Sequence, residues 1–196
     1  MKLDTKRTVL VGFAFLSICA FWQMYDNLVP LILTNTFHLN ETLSGAIMAA
    51  DNVLALFLLP LFGGLSDKCK SPLGRRRPFI LFGTLTAIIL MLMLPLLADS
   101  YHAAPKAGTL ALFICALGLL LIAMGTYRSP AVALMPDITP KPLRSKANAI
   151  INLMGAIGGI CYLLVTTFLY RVKSDSYVSF FPLFAIVAGI MAAALM

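Results

Sequence analysis

Charge is scarce in this sequence, and acidic charge scarcest. Only 12% of its 196 residues are Asp, Glu, Lys or Arg, eight of them acidic and fifteen basic. A soluble domain carries about a quarter. Histidine is almost missing, and His38 and His102 both fall between apolar runs. No cluster of His, Cys, Asp and Glu has metal-ligand spacing, so neither a metal nor a cofactor is expected. There is no Gly-rich phosphate loop and no hydrolytic constellation, and an enzyme is not expected. Four cysteines imply no disulfide framework. Cys19, Cys115 and Cys161 lie inside apolar runs, where free Cys acts as a small hydrophobe, and Cys69 lies in a basic turn. The net charge of +7 is not gathered on a solvated patch, as it is in nucleic-acid binders. It fills the gaps between apolar runs, and no nucleic-acid partner is expected.

What the chain has in abundance is apolar side chain: 60% of residues, with a mean hydropathy of +0.92. Six runs, at about 9–33, 43–65, 79–98, 109–135, 145–170 and 177–196, each approach the ~20 residues that a bilayer core requires. Lipid satisfies no backbone group, so runs this long and unbroken are helices. The expected fold class is therefore all-α integral membrane, with six transmembrane helices. The first run has no small-residue cleavage site and reads as a span, not a signal peptide.

Basic residues set the orientation. Lys2, Lys6 and Arg7 precede span one. Lys68, Lys70, Arg75, Arg76 and Arg77 join spans two and three, and Lys141, Arg144 and Lys146 join four and five. The opposite side holds Lys106, Arg171 and Lys173. By the positive-inside rule the N-terminus is cytoplasmic, and six crossings return the C-terminus there.

The second-to-third connection reads Gly63-Gly64-Leu65-Ser66-Asp67-Lys68-Cys69-Lys70-Ser71-Pro72-Leu73-Gly74-Arg75-Arg76-Arg77-Pro78. It is too short for a folded insert, so its two spans are antiparallel neighbours. Gly63-x-Leu65-x-Asp67-Lys68, followed by Gly74-Arg75-Arg76, resembles the loop 2–3 signature of the major facilitator superfamily, with extra residues between its halves. Continued through Arg77-Pro78-Phe79-Ile80, it resembles more narrowly the sucrose and glycoside cation-symporter branches. Asp137 followed by Arg144-Ser145-Lys146-Ala147-Asn148-Ala149 is similar to the same branches.

The resemblance implies twelve spans in two six-span halves, each half made of two three-helix units of inverted topology. This chain then looks like the N-terminal half alone. Three readings stay open: a fragment of a longer protein, a truncated gene, or a half that joins a missing C-terminal half or a second copy. No repeat is legible between spans one to three and four to six, beyond the basic turns that follow spans two and four. The resemblance also implies a cytoplasmic gate drawn from Gly64, Asp67, Gly74, Arg75, Arg76, Asp137 and Arg144. Its ion pairs would form in one state and break in another.

Ionisable groups inside spans cost about 2.5–3.5 kcal/mol at mid-bilayer and so face protein or water. Here they are Asp26, Asp51 and Arg128. Gln23, Asp26, Asn27 and Pro30 share one helix face, with Trp22 one turn from Asp26. An aromatic plate beside polar groups suits a sugar, whose C–H face is apolar and whose rim is hydroxylic. The plain alternative is an interfacial Trp/Tyr cluster. Asp51 and Asn52 are placed at a depth similar to Asp26, and two neighbouring carboxylates suit proton carriage. A helix-to-helix hydrogen bond is the alternative. Arg128 offers a planar fork for a carboxylate or substrate hydroxyls, or for a structural ion pair. In span five Asn148, Asn152, Gly155, Gly159, Tyr162 and Thr166 share a face. Gly155-x-x-x-Gly159 permits close helix approach, and the asparagines are candidates to line a cavity.

The expected function is secondary transport by alternating access in the cell membrane. The solute is a saccharide, coupled to a proton or another cation. Drug or other small-solute efflux, and a non-transporting truncated scaffold, are the competing readings.

Overall fold

A computed structural model describes residues 4–72, 74–170 and 178–195. Of the positions named above, Lys2, Leu73, Arg171, Lys173 and the two ends of the sixth run, 177 and 196, lie outside the described residues. Those described form helices and short connections, with no strand among them. Helix α1 (Thr5–Leu31) continues into a π-helical turn, Ile32–Thr36. Then come α2 (Glu41–Lys68), α3 (Arg77–Ala103), α4 (Ala107–Ile138), a 3-10 turn (Lys141–Leu143), α5 (Arg144–Leu169) and α6 (Phe181–Ala193).

Local chemistry sets the helix starts. The Asp4 carboxylate accepts from the Arg7 N–H at 3.2 Å, and the Asn40 side chain accepts from the Leu43 N–H at 2.8 Å. Each satisfies a donor that the first turn leaves free. Pro78 and Pro182 stand in the first turns of α3 and α6, where a missing N–H costs nothing. Gly74 turns the chain into α3 with φ at +99°, a conformation that side chains resist.

Helices α1 to α5 are long and apolar enough to cross a membrane, and α6 is apolar but shorter at 13 residues. Leu56, Phe57, Phe82, Ile89 and Phe168 point outward. Lipid accepts such a surface, since each helix keeps its own backbone bonded. The protein is an integral, multi-pass membrane protein.

The helices pair in a symmetric pattern. Helix α1 packs chiefly on α5, α4 on α2, α3 on α4 and α6, and α1 on α4 and α6. Exchanging α1 with α4, α2 with α5 and α3 with α6 carries these main pairings onto one another. An odd number of crossings separates the two units, so one is inverted relative to the other, the three-plus-three arrangement. The core follows the same rule. Phe21, Met24, Met91, Leu94, Phe113, Leu120, Phe184 and Met191 fill it from α1, α3, α4 and α6. The flanking α2 buries only Ser44 and Ser66.

Two close contacts set the helix spacing. A Cβ on Gly83 of α3 would lie 2.9 Å from the Tyr127 backbone nitrogen on α4. On α5 the tightest approach to α1 is at Gly158, where a Cβ would strike the Leu16 carbonyl. The Gly155-x-x-x-Gly159 expectation is corrected here. Gly155 faces Cys19, but Gly159 has only ordinary contact with Gln23, at 3.7 Å.

A buried polar knot ties α1 to α4. The Tyr127 hydroxyl lies 2.6 Å from the Ser17 hydroxyl and donates to the Ala14 carbonyl at 3.1 Å; Ser17 also donates to Ala14, at 2.8 Å. Tyr127→Phe is expected to cost about 1 kcal/mol, a net hydrogen bond. A melt in detergent should fall by about 2–4 °C with helix content unchanged. An unchanged melting point would show that the knot holds nothing.

Candidate functional site

Helices α1, α2 and α4 enclose a niche of about 20 Å³ lined by residues that include Trp22, Asp51, Leu58, Gly125 and Arg128. Gly125 lets α2 close in: a Cβ there would lie 3.3 Å from Leu58 Cβ. Ser129 pins the crossing by donating to the Leu59 carbonyl at 2.7 Å. The niche has room for one water molecule and not for a sugar ring.

Trp22 is braced edge-on by Phe21 and Tyr25, at ring separations of 5.4 and 5.3 Å. The guanidinium carbon of Arg128 sits 5.3 Å from its ring centroid, within cation–π range. Asp51 lies within electrostatic reach of Arg128, and Asp26 within reach of Asp51. No salt bridge joins them among the described residues. Two niche residues bury a polar atom without a hydrogen bond, Trp22 Nε1 and Asp51 Oδ1, as does Tyr25, packed on Trp22, with its hydroxyl. An orphan of this kind costs about 1–3 kcal/mol until a partner arrives. The niche is thus fitted to receive something polar.

The other residues singled out in the sequence lie elsewhere. Asp26 and Asn27 are exposed on α1, and Asn27 donates to the Gln23 carbonyl of its own helix at 2.6 Å. Gln23 turns toward Gly159 on α5. Asn52 is exposed on α2, and Asn148 and Asn152 are exposed on α5; none of the three lines the niche. Gly125 escaped the sequence reading, and Tyr25 entered it only as a member of the Trp/Tyr cluster. Gly125 gave no signal in the sequence.

At the C-terminal end of α4, Arg76 joins three groups. Its Nη2 lies 2.8 Å from Asp67, its Nε donates to Asp137, and its Nη1 donates to Ser66 Oγ at 3.2 Å. These contacts tie the α2–α3 turn to the end of α4. Gly74, Arg75 and Arg77 line the same open cleft, of about 630 Å³. Arg144 stands apart from the ion pairs. It donates to the Pro136 and Thr139 carbonyls at 2.9 and 3.3 Å, capping α4. Gly64 is exposed on α2 with open space around it.

Over residues 11–196 the sequence matches the family model of the Major Facilitator Superfamily. The chain belongs to that superfamily. This superfamily member is 34% identical to Sucrose transport protein SUC3 of Arabidopsis thaliana over 145 residues, 68% of this chain and 24% of that protein. It is 32% identical to Sucrose transport protein SUT3 of Oryza sativa subsp. indica over 145 residues, 68% of this chain and 28% of the relative. With MFS transporter fmqE of Aspergillus fumigatus it shares 28% identity over 176 residues, 88% of this chain and 31% of that one. The superfamily chain therefore spans about a quarter to a third of the length of these relatives.

Proposed function

We propose that this chain forms the N-terminal half of a proton-coupled saccharide symporter of the plasma membrane, with its N-terminus cytoplasmic. The observation that carries the reading is the meeting of Trp22, Asp51 and Arg128, from three helices, with Trp22 Nε1 and Asp51 Oδ1 buried and unpartnered. An indole face and hydrogen-bonding groups at one point fit a sugar's apolar face and hydroxyl rim. The sucrose transport proteins among its relatives favour the same solute class. Asp51 and Asp26 are the carboxylates offered for the proton. A niche of about 20 Å³ seats one hydroxyl, so the rest of the sugar lies against a second wall. A C-terminal half, or a second copy, would supply that wall and rock against this one. The Arg76 network would then latch the cytoplasmic side.

Uptake of labelled sucrose and maltose into vesicles, with and without an inward proton gradient, tests the proposal. The chain is assayed alone and within the longest open reading frame that contains it. Gradient-driven accumulation is expected from the longer form, falling to the level of empty vesicles in Asp51→Asn. Undiminished accumulation in that variant removes Asp51 from coupling. A well-inserted longer form that takes up neither sugar removes the saccharide reading.

A further inference from the structure

Trp22 is the chain's one tryptophan, and its ring face is already occupied. Arg128 reaches over from α4 and sets its guanidinium carbon 5.3 Å from the ring centroid. The niche beside them measures about 20 Å³, so no third planar group fits against the ring. Asp51 lines the same niche from α2, with Oδ1 buried and unbonded. The guanidinium therefore has two seats, the indole face that it holds and a carboxylate that it has not yet closed upon. A planar cation suits both, stacking on an aromatic face and forking onto a carboxylate.

We infer that Arg128 is a built-in competitor for the Trp22 face, and that a ring-shaped solute gains the face by displacing Arg128 onto Asp51. This deepens the saccharide reading and rests on it for the identity of the solute. That Arg128 covers the ring rests on geometry alone. Other groups of α1 surround the exchange. Cys19 lies near Arg128, and Tyr25 and Asp26 lie near Asp51; Asp26 is the rival receiver. The consequence has an unusual sign. An arginine that binds the solute directly loses affinity when replaced, whereas a competitor raises it.

A lone tryptophan makes the exchange visible. Acrylamide quenching of Trp22 fluorescence is measured on the full chain in detergent, with helix content checked by circular dichroism. Sucrose is then titrated against the emission. Arg128→Gln is expected to quench roughly two- to fivefold more readily and to bind sucrose more tightly by a similar factor. That is the population change for about 0.5–1 kcal/mol of cation–π contact. Asp51→Asn removes the second seat and leaves the ring covered, so quenching stays at the wild-type level while sucrose binds more weakly. Should Arg128→Gln fail to fold, Arg128→Lys keeps the charge, gives up the planar cover, and is expected to quench at an intermediate level.

Equal quenching in wild type and in the folded Arg128 variants overturns the inference. So does weaker sucrose binding by Arg128→Gln, which marks a direct ligand. If Asp26→Asn weakens sucrose binding and Asp51→Asn does not, the receiver is Asp26 and the assignment to Asp51 fails. If quenching rises in Arg128→Gln but no form responds to sucrose, the cover stands and displacement of Arg128 by the sugar is overturned; the saccharide reading itself falls only if the longer form takes up neither sugar.

Discussion

Placing one methyl group on Gly158 is expected to prise the α1–α5 contact apart and lower the folded-to-unfolded ratio by about a hundredfold. A Cβ built there falls 2.9 Å from the Leu16 carbonyl carbon and 3.0 Å from its Cα, with the carbonyl oxygen closer still. All three atoms belong to the backbone of α1, so no rotamer change gives way. Overpacking costs about 1–3 kcal/mol where side chains can shift, and a rigid backbone puts Gly158→Ala at the upper end. About 3 kcal/mol is on the order of a hundredfold in the folded-to-unfolded ratio. Size-exclusion chromatography in detergent, followed by a thermal melt, reads the loss. Gly159→Ala is the control, because its Cβ would meet only Gln23 Oε1, at 3.7 Å. It should stay within about 0.5 kcal/mol of wild type. Matching melts for the two variants would sink the assignment of the contact to Gly158.

That pair of glycines also shows where sequence reading stops. Small residues four apart announce a close helix contact, and α5 does make one with α1. Gly155, Gly158 and Gly159 all lie on one stripe of the helix, however, and only the crossing angle decides which meets the neighbour. Crossing angles leave little trace in an apolar pattern, because lipid accepts the same side chains that the core does. Helix α2 illustrates this: its run is among the clearest in the sequence, yet it buries only two serines. That five of the runs are helices long enough to cross is legible, because lipid thickness dictates that length. Which helix is central is not.

The candidate site was legible in a different way. Trp22, Asp51 and Arg128 stand out because indole and charge are rare in spans, and rarity marks such residues wherever they face. The structure brings those three together. Asn148 and Asn152 stand out by helical spacing alone, and spacing gives a face without saying what the face meets. Both lie within about 12 Å of Arg144 at the start of α5, by the helical rise. An amide can meet solvent there without entering a cavity. Arg76 was one of five basic residues in a single turn, and nothing in the string distinguishes it from Arg75 or Arg77. Its burial does.

Arg76→Gln is expected to part the α2–α3 turn from the end of α4 while Arg75→Gln leaves both in place. The Arg76 side chain is 11% exposed, whereas Asp67 and Asp137 are 58% and 51% exposed. One guanidinium thus gathers two half-solvated carboxylates and the Ser66 hydroxyl. Its hydrogen bond to Asp137, then the charges of Asp137 and Asp67, hold its pKa above the ordinary arginine value against some desolvation. A cation with a raised pKa contributes stability that is fully present below its unfolded value and is lost only above it. The Arg76 contribution is therefore flat across neutral pH. Exposed pairs are worth up to about 1 kcal/mol each, so losing both costs about 1–2 kcal/mol. Cys69 reports the change from within the turn, since its N–H bonds to the Ser66 carbonyl at 3.3 Å. Its alkylation should quicken about fivefold or more in Arg76→Gln, the factor carried by about 1 kcal/mol. Arg76→Lys should fall between, because a point charge cannot span both carboxylates as a planar fork does. Arg75 is exposed and in no ion pair among the described residues, so in Arg75→Gln the Cys69 thiol should alkylate as in wild type. Equal rates in both Gln variants would mean that the turn is held by its total charge and not by the reach of one arginine.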